Sequence, residues 1–251
     1  MNTAITRSFV FGVDDRIAPL QEQWQENVRR QFHHGPDPRR AALEVVVERR
    51  PEATLEVGAG SGQFAAQLGD RLDGSVLITD PSALLVEQAD MRLVPGVVAD
   101  ATALPLASAR FDCVIVHRPK WSDNDVGPAL CELTRVLHHT GMLVLSVGSP
   151  RADGHELDEL LGCTLHRRSV GLTSDTAHAV LGSHFGHVEE TRLDHAMVFS
   201  SGADLAAYLT ALPARRHLAD QVRDLPGPYR LTYDVRLLVA TVPRRCEGVG
   251  S

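Results

Sequence analysis

The sequence predicts an α/β fold built on a mostly parallel sheet with helices on both faces. Short, nearly continuous apolar segments recur at 53–58, 75–80, 96–100, 111–117 and 142–147. Amphipathic stretches stand between them near 62–71, 82–90 and 125–139. Strands covered on both faces read as unbroken apolar runs, and parallel neighbours are joined through helices. The first apolar segment also breaks into a glycine-rich turn, Gly58-Ala59-Gly60-Ser61-Gly62, which opens a helix. Such a turn lets a ligand approach bare main chain beside the unpaired N–H groups of a helix start.

The flanking elements follow in order. Pro19 through Phe32 reads as a helix, with Trp24, Val28 and Phe32 on one face. His33-His34-Gly35-Pro36-Asp37-Pro38 is a break, and 39–50 reads as a second helix with Leu43, Val46 and Val47 apolar. Beyond Pro150 the rhythm loosens: 151–185 suggests two short helices, while 187–199 and 229–242 each read as one long strand. Between those strands Ala203 to Leu209 is helical in pattern. Two long final strands with a helical insertion fit an antiparallel hairpin that closes the sheet. With no internal repeat, low-complexity segment or linker, residues 1–251 are expected to form one domain. It comprises a helical N-terminal lid over 1–50, a core over 51–150, and a C-terminal half over 151–251 with a lid insertion near 200–225.

Composition narrows the function. The 251 residues suit one α/β domain with a full core. The formal charge of −7 argues against nucleic acid as partner. No 18-residue apolar run offers a membrane span. Arg7, Asp14, Asp15 and Arg16 interrupt the N-terminus, so no secretory signal is expected and a cytoplasmic protein is. Cys113, Cys131, Cys163 and Cys246 form no C-x-x-C and read as reduced thiols, with Cys113 in the core of a strand. The 25 basic residues include a single lysine, Lys120.

In doubly wound sheets, ligands bind beyond the carboxyl ends of the strands. Here successive strand candidates end in Glu56 and the glycine turn, in Asp80-Pro81, in Asp100-Ala101 and in His117-Arg118-Pro119. A carboxylate after the second strand can accept from both ribose hydroxyls, and one after the third can accept from an adenine amino group. The glycine spacing is G-x-G-x-G, whereas a dinucleotide fold wants G-x-G-x-x-G, which counts against a nicotinamide-dependent oxidoreductase.

Glu56-x-Gly58-x-Gly60-x-Gly62 resembles the first motif, E/D-x-G-x-G-x-G, of class I S-adenosylmethionine (SAM) dependent methyltransferases. Asp100-Ala101-Thr102-Ala103-Leu104-Pro105-Leu106 and Phe111-Asp112-Cys113-Val114 resemble the D-A-x-x-L-P-F and F-D-x-V motifs of its ubiquinone-methyltransferase-like small-molecule branch. Glu132-Leu133-Thr134-Arg135-Val136-Leu137, followed by Thr140-Gly141, resembles that branch's E-x-x-R-V-L-x-x-G-G, with Thr140 in place of the first glycine. The resemblance spans about residues 53–148. It implies a Rossmann-like seven-stranded sheet whose last strand is antiparallel, and an enzyme that methylates a small molecule in specialised biosynthesis. SAM would be the cofactor and S-adenosylhomocysteine (SAH) the product.

The resemblance also distributes roles. Gly58, Ala59, Gly60 and Gly62 would face the amino-acid part of SAM and Glu56 its amino group. Asp80, with Pro81, would take the ribose, Asp100 and Ala101 the adenine, and His117 the floor near the sulfonium. His117 is the candidate base, with a purely packing role as the competing reading. Phe9, Phe11, Trp24, Trp121, Tyr208 and Tyr229 are candidates for an aromatic acceptor pocket, or for ordinary packing. The loop His117-Arg118-Pro119-Lys120-Trp121 departs from the His-His and Asn-Pro-Pro-Tyr signatures of related groups, so no substrate chemistry carries over there.

No metal is expected. His184-x-x-His187, with His178 upstream, lacks a matching Cys or carboxylate cluster at ligand spacing. Asp123-Asn124-Asp125 lacks the partner acids of magnesium-dependent catechol-type enzymes, since Ser146-Val147-Gly148-Ser149 stands where they would be. No G-x-S-x-G supports a hydrolase. The expected partner is a small-molecule methyl acceptor, with no nucleic acid or membrane, for a monomer or homodimer. The competing class is a protein that keeps the fold and uses the cofactor structurally, as a cyclase or a non-catalytic partner.

Overall fold

A computed structural model describes residues 31–149, 155–162, 171–210, 212 and 215–246. The expected helix over 19–32 therefore lies outside the described residues apart from its last two positions. The strands are β1 (His33–His34), β2 (Ala53–Val57), β3 (Ser75–Asp80), β4 (Gly96–Val98), β5 (Phe111–His117), β6 (Leu137–Gly148), β7 (Phe185–Arg192), β8 (His195–Phe199), β9 (Tyr229–Tyr233) and β10 (Val235–Pro243). The described α-helices are α1 (Pro38–Arg49), α2 (Gln63–Gly69), α3 (Ala83–Asp90), α4 (Asp123–Val136), α5 (His155–Leu161), α6 (Ala177–His184), α7 (Gly202–Thr210) and α8 (Ala219–Val222).

Seven strands form the main sheet in the order β4-β3-β2-β5-β6-β10-β7. β2 to β6 pair in parallel, and β10 runs antiparallel between β6 and β7. Side chains alternate across it, as the period of two in a strand requires. On β5 and β6, Val114, Val116, Leu143 and Leu145 enter one core with Leu130 and Leu133 of α4 and Leu181 of α6. Cys113, Ile115, Met142 and Val144 enter the opposite core with α1, α2 and α3. Burial pushes the Cys113 thiol well above the usual thiol range, and the Asp112 charge adds to the effect.

The two long C-terminal strands differ from expectation. Each breaks in two and changes sheet. β7 and β10 stay in the main sheet, while β8 and β9 pair with each other and with β1 in a second, three-stranded sheet. The breaks at Leu193-Asp194 and Asp234 face each other, with Leu193 N–H donating to Val235 O at 2.8 Å. Arg236 is fastened there between Glu190 at 2.9 Å and Asp234. α7, α8 and the small sheet share a third core containing Phe32, Met197, Phe199, Leu205 and Leu231.

The cysteine expectation is corrected as well. Cys131 on α4 and Cys246 beyond β10 form a disulfide across 115 residues of sequence. Spacing in sequence cannot reveal a pair that only the tertiary fold brings together.

The E-x-x-R motif has a framing role. Glu132 is buried and accepts from Leu104 N–H at 2.7 Å and from the Arg135 guanidinium at 2.7 and 2.8 Å. Arg135 in turn donates to Leu104 O and Leu106 O. The pair thus clamps the loop after β4 onto α4. The Arg135 hydrogen bonds hold the Glu132 carboxyl below its usual value of 4.5, against the opposing effect of burial. Its folded pKa is depressed, so the stability it contributes is present above pH 4.5 and is lost as pH falls through the lowered value. Glu132→Gln should therefore cost about 2–3 kcal/mol at neutral pH, by leaving a half-buried guanidinium without its counter-charge. Urea unfolding of both proteins should show that gap shrinking below pH 4.5; a gap independent of pH would refute the clamp as an ionic one.

Candidate functional site

Strand order reverses at β2: β3 and β4 lie to one side, β5 and β6 to the other. These strands run parallel, so their carboxyl ends share one edge, and the reversal leaves a crevice there. Glu56, the turn from Gly58 to Gly62, Asp80, Asp100, Ala101 and His117 all come to that edge.

The turn is fixed by β3. Gly58 N–H and Ala59 N–H both donate to Thr79 O, at 2.8 and 3.1 Å. Asp80, only 7% exposed, accepts from Gly60 N–H through Oδ2 and from Ser82 N–H through Oδ1, each at 2.9 Å. One carboxylate therefore joins two strand-end loops. Pro81 follows, exposed at the rim.

Two glycines in the turn serve different ends. Both adopt positive φ, +69° at Gly58 and +72° at Gly62. A Cβ at Gly62 would stand 2.8 Å from Ala89 Cβ, so its absence lets α2 press against α3. A Cβ at Gly58 would meet nothing within 4 Å, so its absence leaves room beside the turn.

Asp100 lies just past β4 and is exposed; its Oδ1 accepts from Thr102 N–H and Oγ1 at 2.9 and 2.7 Å. Ala101 beside it is buried. His117 ends β5 with Nδ1 3.1 Å from Ser146 Oγ and its ring set edge-on against Phe64 at 4.4 Å. The Phe64 contact ties His117 to the helix that the glycine turn opens.

Lys120 lies on the loop that follows β5. It projects at the rim, where enclosure by surrounding chain and then the Arg118 charge lower its pKa, while Asp80 acts in the opposite sense. Asp123-Asn124-Asp125 has structural duties: Asp123 Oδ1 accepts from Gly171 N–H at 2.8 Å, and Asp125 closes a capping box with Ser122 at the start of α4.

The aromatic candidates are not assembled into one wall. Trp121 packs against the core under α4 and α6, whereas Tyr208 and Tyr229 pack against the small-sheet core. Tyr208 O–H is hydrogen-bonded to Tyr233 O–H, and Tyr229 O–H donates to Pro226 O. Phe9, Phe11 and Trp24 lie outside the described residues. A row absent from the sequence reading does form: His195 stacks on Tyr233 at 5.2 Å and meets His33 at 4.7 Å. Ser149 N–H donates to Asp234 O at 2.9 Å, which sets this row beside the carboxyl end of β6. Alternation in β9 placed Tyr229 and Tyr233 on one face; nothing local brought His33 and His195 to them.

Comparison with known proteins agrees with this geometry. A family model described as a methyltransferase domain matches residues 55–145. The uncharacterised methyltransferase YodH of Bacillus subtilis is 30% identical over 52% of this chain and 60% of its own length. A demethylmenaquinone methyltransferase of Thermus thermophilus is 32% identical over 46% of this chain and 56% of its own length. The chain thus spans little more than half of these relatives. Among solved structures, the YcgJ protein of Bacillus subtilis superposes with a TM-score of 0.61 at 16% identity, covering 82% of this chain and 99% of that one.

The two glycines yield opposed expectations. Gly62→Ala adds left-handed strain of about 1–2 kcal/mol to an overlap with Ala89, so thermal unfolding should fall by several degrees. Gly58→Ala carries the strain alone and should unfold closer to the parent. Equal losses in the two variants would show that α2–α3 contact is not what Gly62 protects.

Proposed function

We propose that this protein transfers a methyl group from SAM to a small-molecule acceptor, a reading supported by the match of residues 55–145 to a methyltransferase domain model and by relatives named as methyltransferases. The observation that carries the reading is the Asp80 carboxylate. It is buried and joins the glycine turn to the loop that follows β3, at the carboxyl edge of the sheet.

The residues present fit the cofactor. The open space at Gly58 suits its amino-acid portion, with Glu56 as the acid nearest that turn on β2. Asp80 would hold the ribose hydroxyls, while Asp100 and Ala101 would frame the adenine. Three acids at one edge favour a cationic ligand. When bound, SAM supplies an electrophilic methyl group on a sulfonium. The work left to the chain is to hold the acceptor in line and to exclude water. His117, fixed by Ser146 and Phe64, would floor the crevice and take a proton where the acceptor is not already ionised.

The acceptor is read as small on two grounds. The net charge of −7 disfavours nucleic acid, and one relative is named for a quinone acceptor. The second sheet and its helical insertion would form the acceptor side, with a role in specialised biosynthesis and a cytoplasmic location. Among the described residues, no helix is long and apolar enough to cross a membrane.

Calorimetry with SAM and SAH on the parent chain and on Asp80→Ala tests the reading. Loss of charge-assisted hydrogen bonds worth about 1.5–3 kcal/mol should weaken binding at least tenfold. A folded parent chain that binds neither molecule would overturn the assignment. Tight binding with no transfer to any small acceptor would favour structural use of the cofactor.

A further inference from the structure

We propose that Cys131, His184 and Cys246 form a binding site for a soft divalent cation of the zinc class, gated by the disulfide between the two cysteines. The site is independent of the methyl-transfer reading and lies at a different edge of the sheet. Cys131 sits on the second half of α4, His184 ends α6, and Cys246 follows β10. A ligand atom from each lies within 4.8 Å of the other two, and all three residues are half-buried. The region is flanked by the end of α4 and the start of β7, at the amino ends of the parallel strands.

The donor set is two sulfurs and one imidazole. Soft thiolates with imidazole select zinc-class cations over magnesium or calcium. His184 is already oriented. Its Nδ1 lies 3.2 Å from Val180 O and 2.9 Å from Ser183 Oγ. With the proton on Nδ1 and donated to that carbonyl, Nε2 keeps its lone pair, which is how metal-binding histidines are commonly held. His187, the partner that spacing suggested, instead pairs with Glu189 at 3.1 Å.

The three groups stay together when the sulfurs part, because other bonds hold the tail. Arg244 N–H donates to His184 O at 2.7 Å, and the Arg244 guanidinium donates to Gly182 O at 3.1 Å. Arg245 donates to Arg135 O at 2.7 Å and to Leu137 O at 3.0 Å, capping the end of α4. Pro243 pairs with Phe185.

The gate is a two-electron exchange. A small dithiol gives two electrons and two protons to the Cys131–Cys246 bond and becomes a disulfide itself; the bond opens to two thiols. A cation then displaces both thiol protons. Zinc–sulfur bonds of about 2.3 Å in a tetrahedron set the sulfurs about 3.8 Å apart. The Cα atoms stand 5.6 Å apart, and rotation about the Cα–Cβ bonds can move the two sulfurs to that separation. The fourth position falls to water.

The test uses the full chain in a Cys163→Ser background, with cobalt(II) as the probe. Protein reduced by a phosphine should bind one cobalt per chain with a sulfur-to-cobalt charge-transfer band; the oxidised protein should show none. Cys131→Ser and Cys246→Ser should abolish the band. His184→Ala should weaken binding by about 10- to 100-fold while leaving the thiol count and melting curve of the reduced protein unchanged. A reduced chain with both thiols titratable and no cobalt band would overturn the site. So would unchanged affinity in His184→Ala. A chain purified without reductant that has both thiols free and binds cobalt directly would overturn the gate.

Discussion

The reversal of strand order at β2 is the constraint on which the rest of the molecule depends. Each parallel strand must be followed by a return to the same starting edge, through a helix except between β4 and β5, so all their carboxyl ends open on one side. At β2 the first crossover goes one way and a later one goes the other. The turn after β2 therefore lies at the point of reversal, with the end of β3 at Asp80 on one side and the end of β5 at His117 on the other. The glycines, the carboxylate and the imidazole meet because of topology, although they are far apart in sequence.

Motif residues then divide by what they face. Asp80, Asp100 and Gly58 stand at the carboxyl edge of the sheet. Asp112 does not: its carboxylate accepts from Ala53 N–H at 3.0 Å and ties β5 to the start of β2 at the other edge. Glu132, Arg135 and Gly62 likewise face protein. In this chain the E-x-x-R pair and the aspartate of F-D-x-V serve the frame, whatever the acceptor. Such matches therefore speak more strongly for fold and cofactor crevice than for the reaction's second substrate.

This division also decides what could be read from the chain. β2, β3 and β5 were legible almost residue for residue, because buried parallel strands impose continuous apolar runs that turns interrupt. The strand-end acids were legible because topology converts position along a strand into position at an edge. The second sheet was not. Neither 187–199 nor 229–242 contains a glycine or proline, so the kinks at Asp194 and Asp234 carry no turn signal in the sequence; they become visible only as facing breaks pinned by Arg236. The His33–His195–Tyr233 row and the Cys131–Cys246 pair share that cause. Each is a contact between segments distant in sequence, with no local pattern to announce it. Lys120 was in view only as the sole lysine, and its relation to Asp80 requires the fold.

α4 connects the two ends of this architecture, and the way it does so limits how far one end can influence the other. Its first turn meets the mouth through the Ser122–Asp125 cap and the Asp123–Gly171 bond. Its second half carries Cys131, and its last carbonyls receive Arg245. The groups that define the crevice come instead from the turns after β2, β3 and β4 and from the end of β5. Their hydrogen bonds among the described residues include those to Thr79, Asp80 and Ser146. A change in the state of the tail clip should then act mainly on the stability of α4 and β10. A helix packed against the sheet by Leu130, Leu133 and Val136 resists small displacements, because close-packed interiors deform little before they rearrange. The molecule thus separates a rigid ligand-facing edge from a chemically adjustable one, with a single buried helix between them.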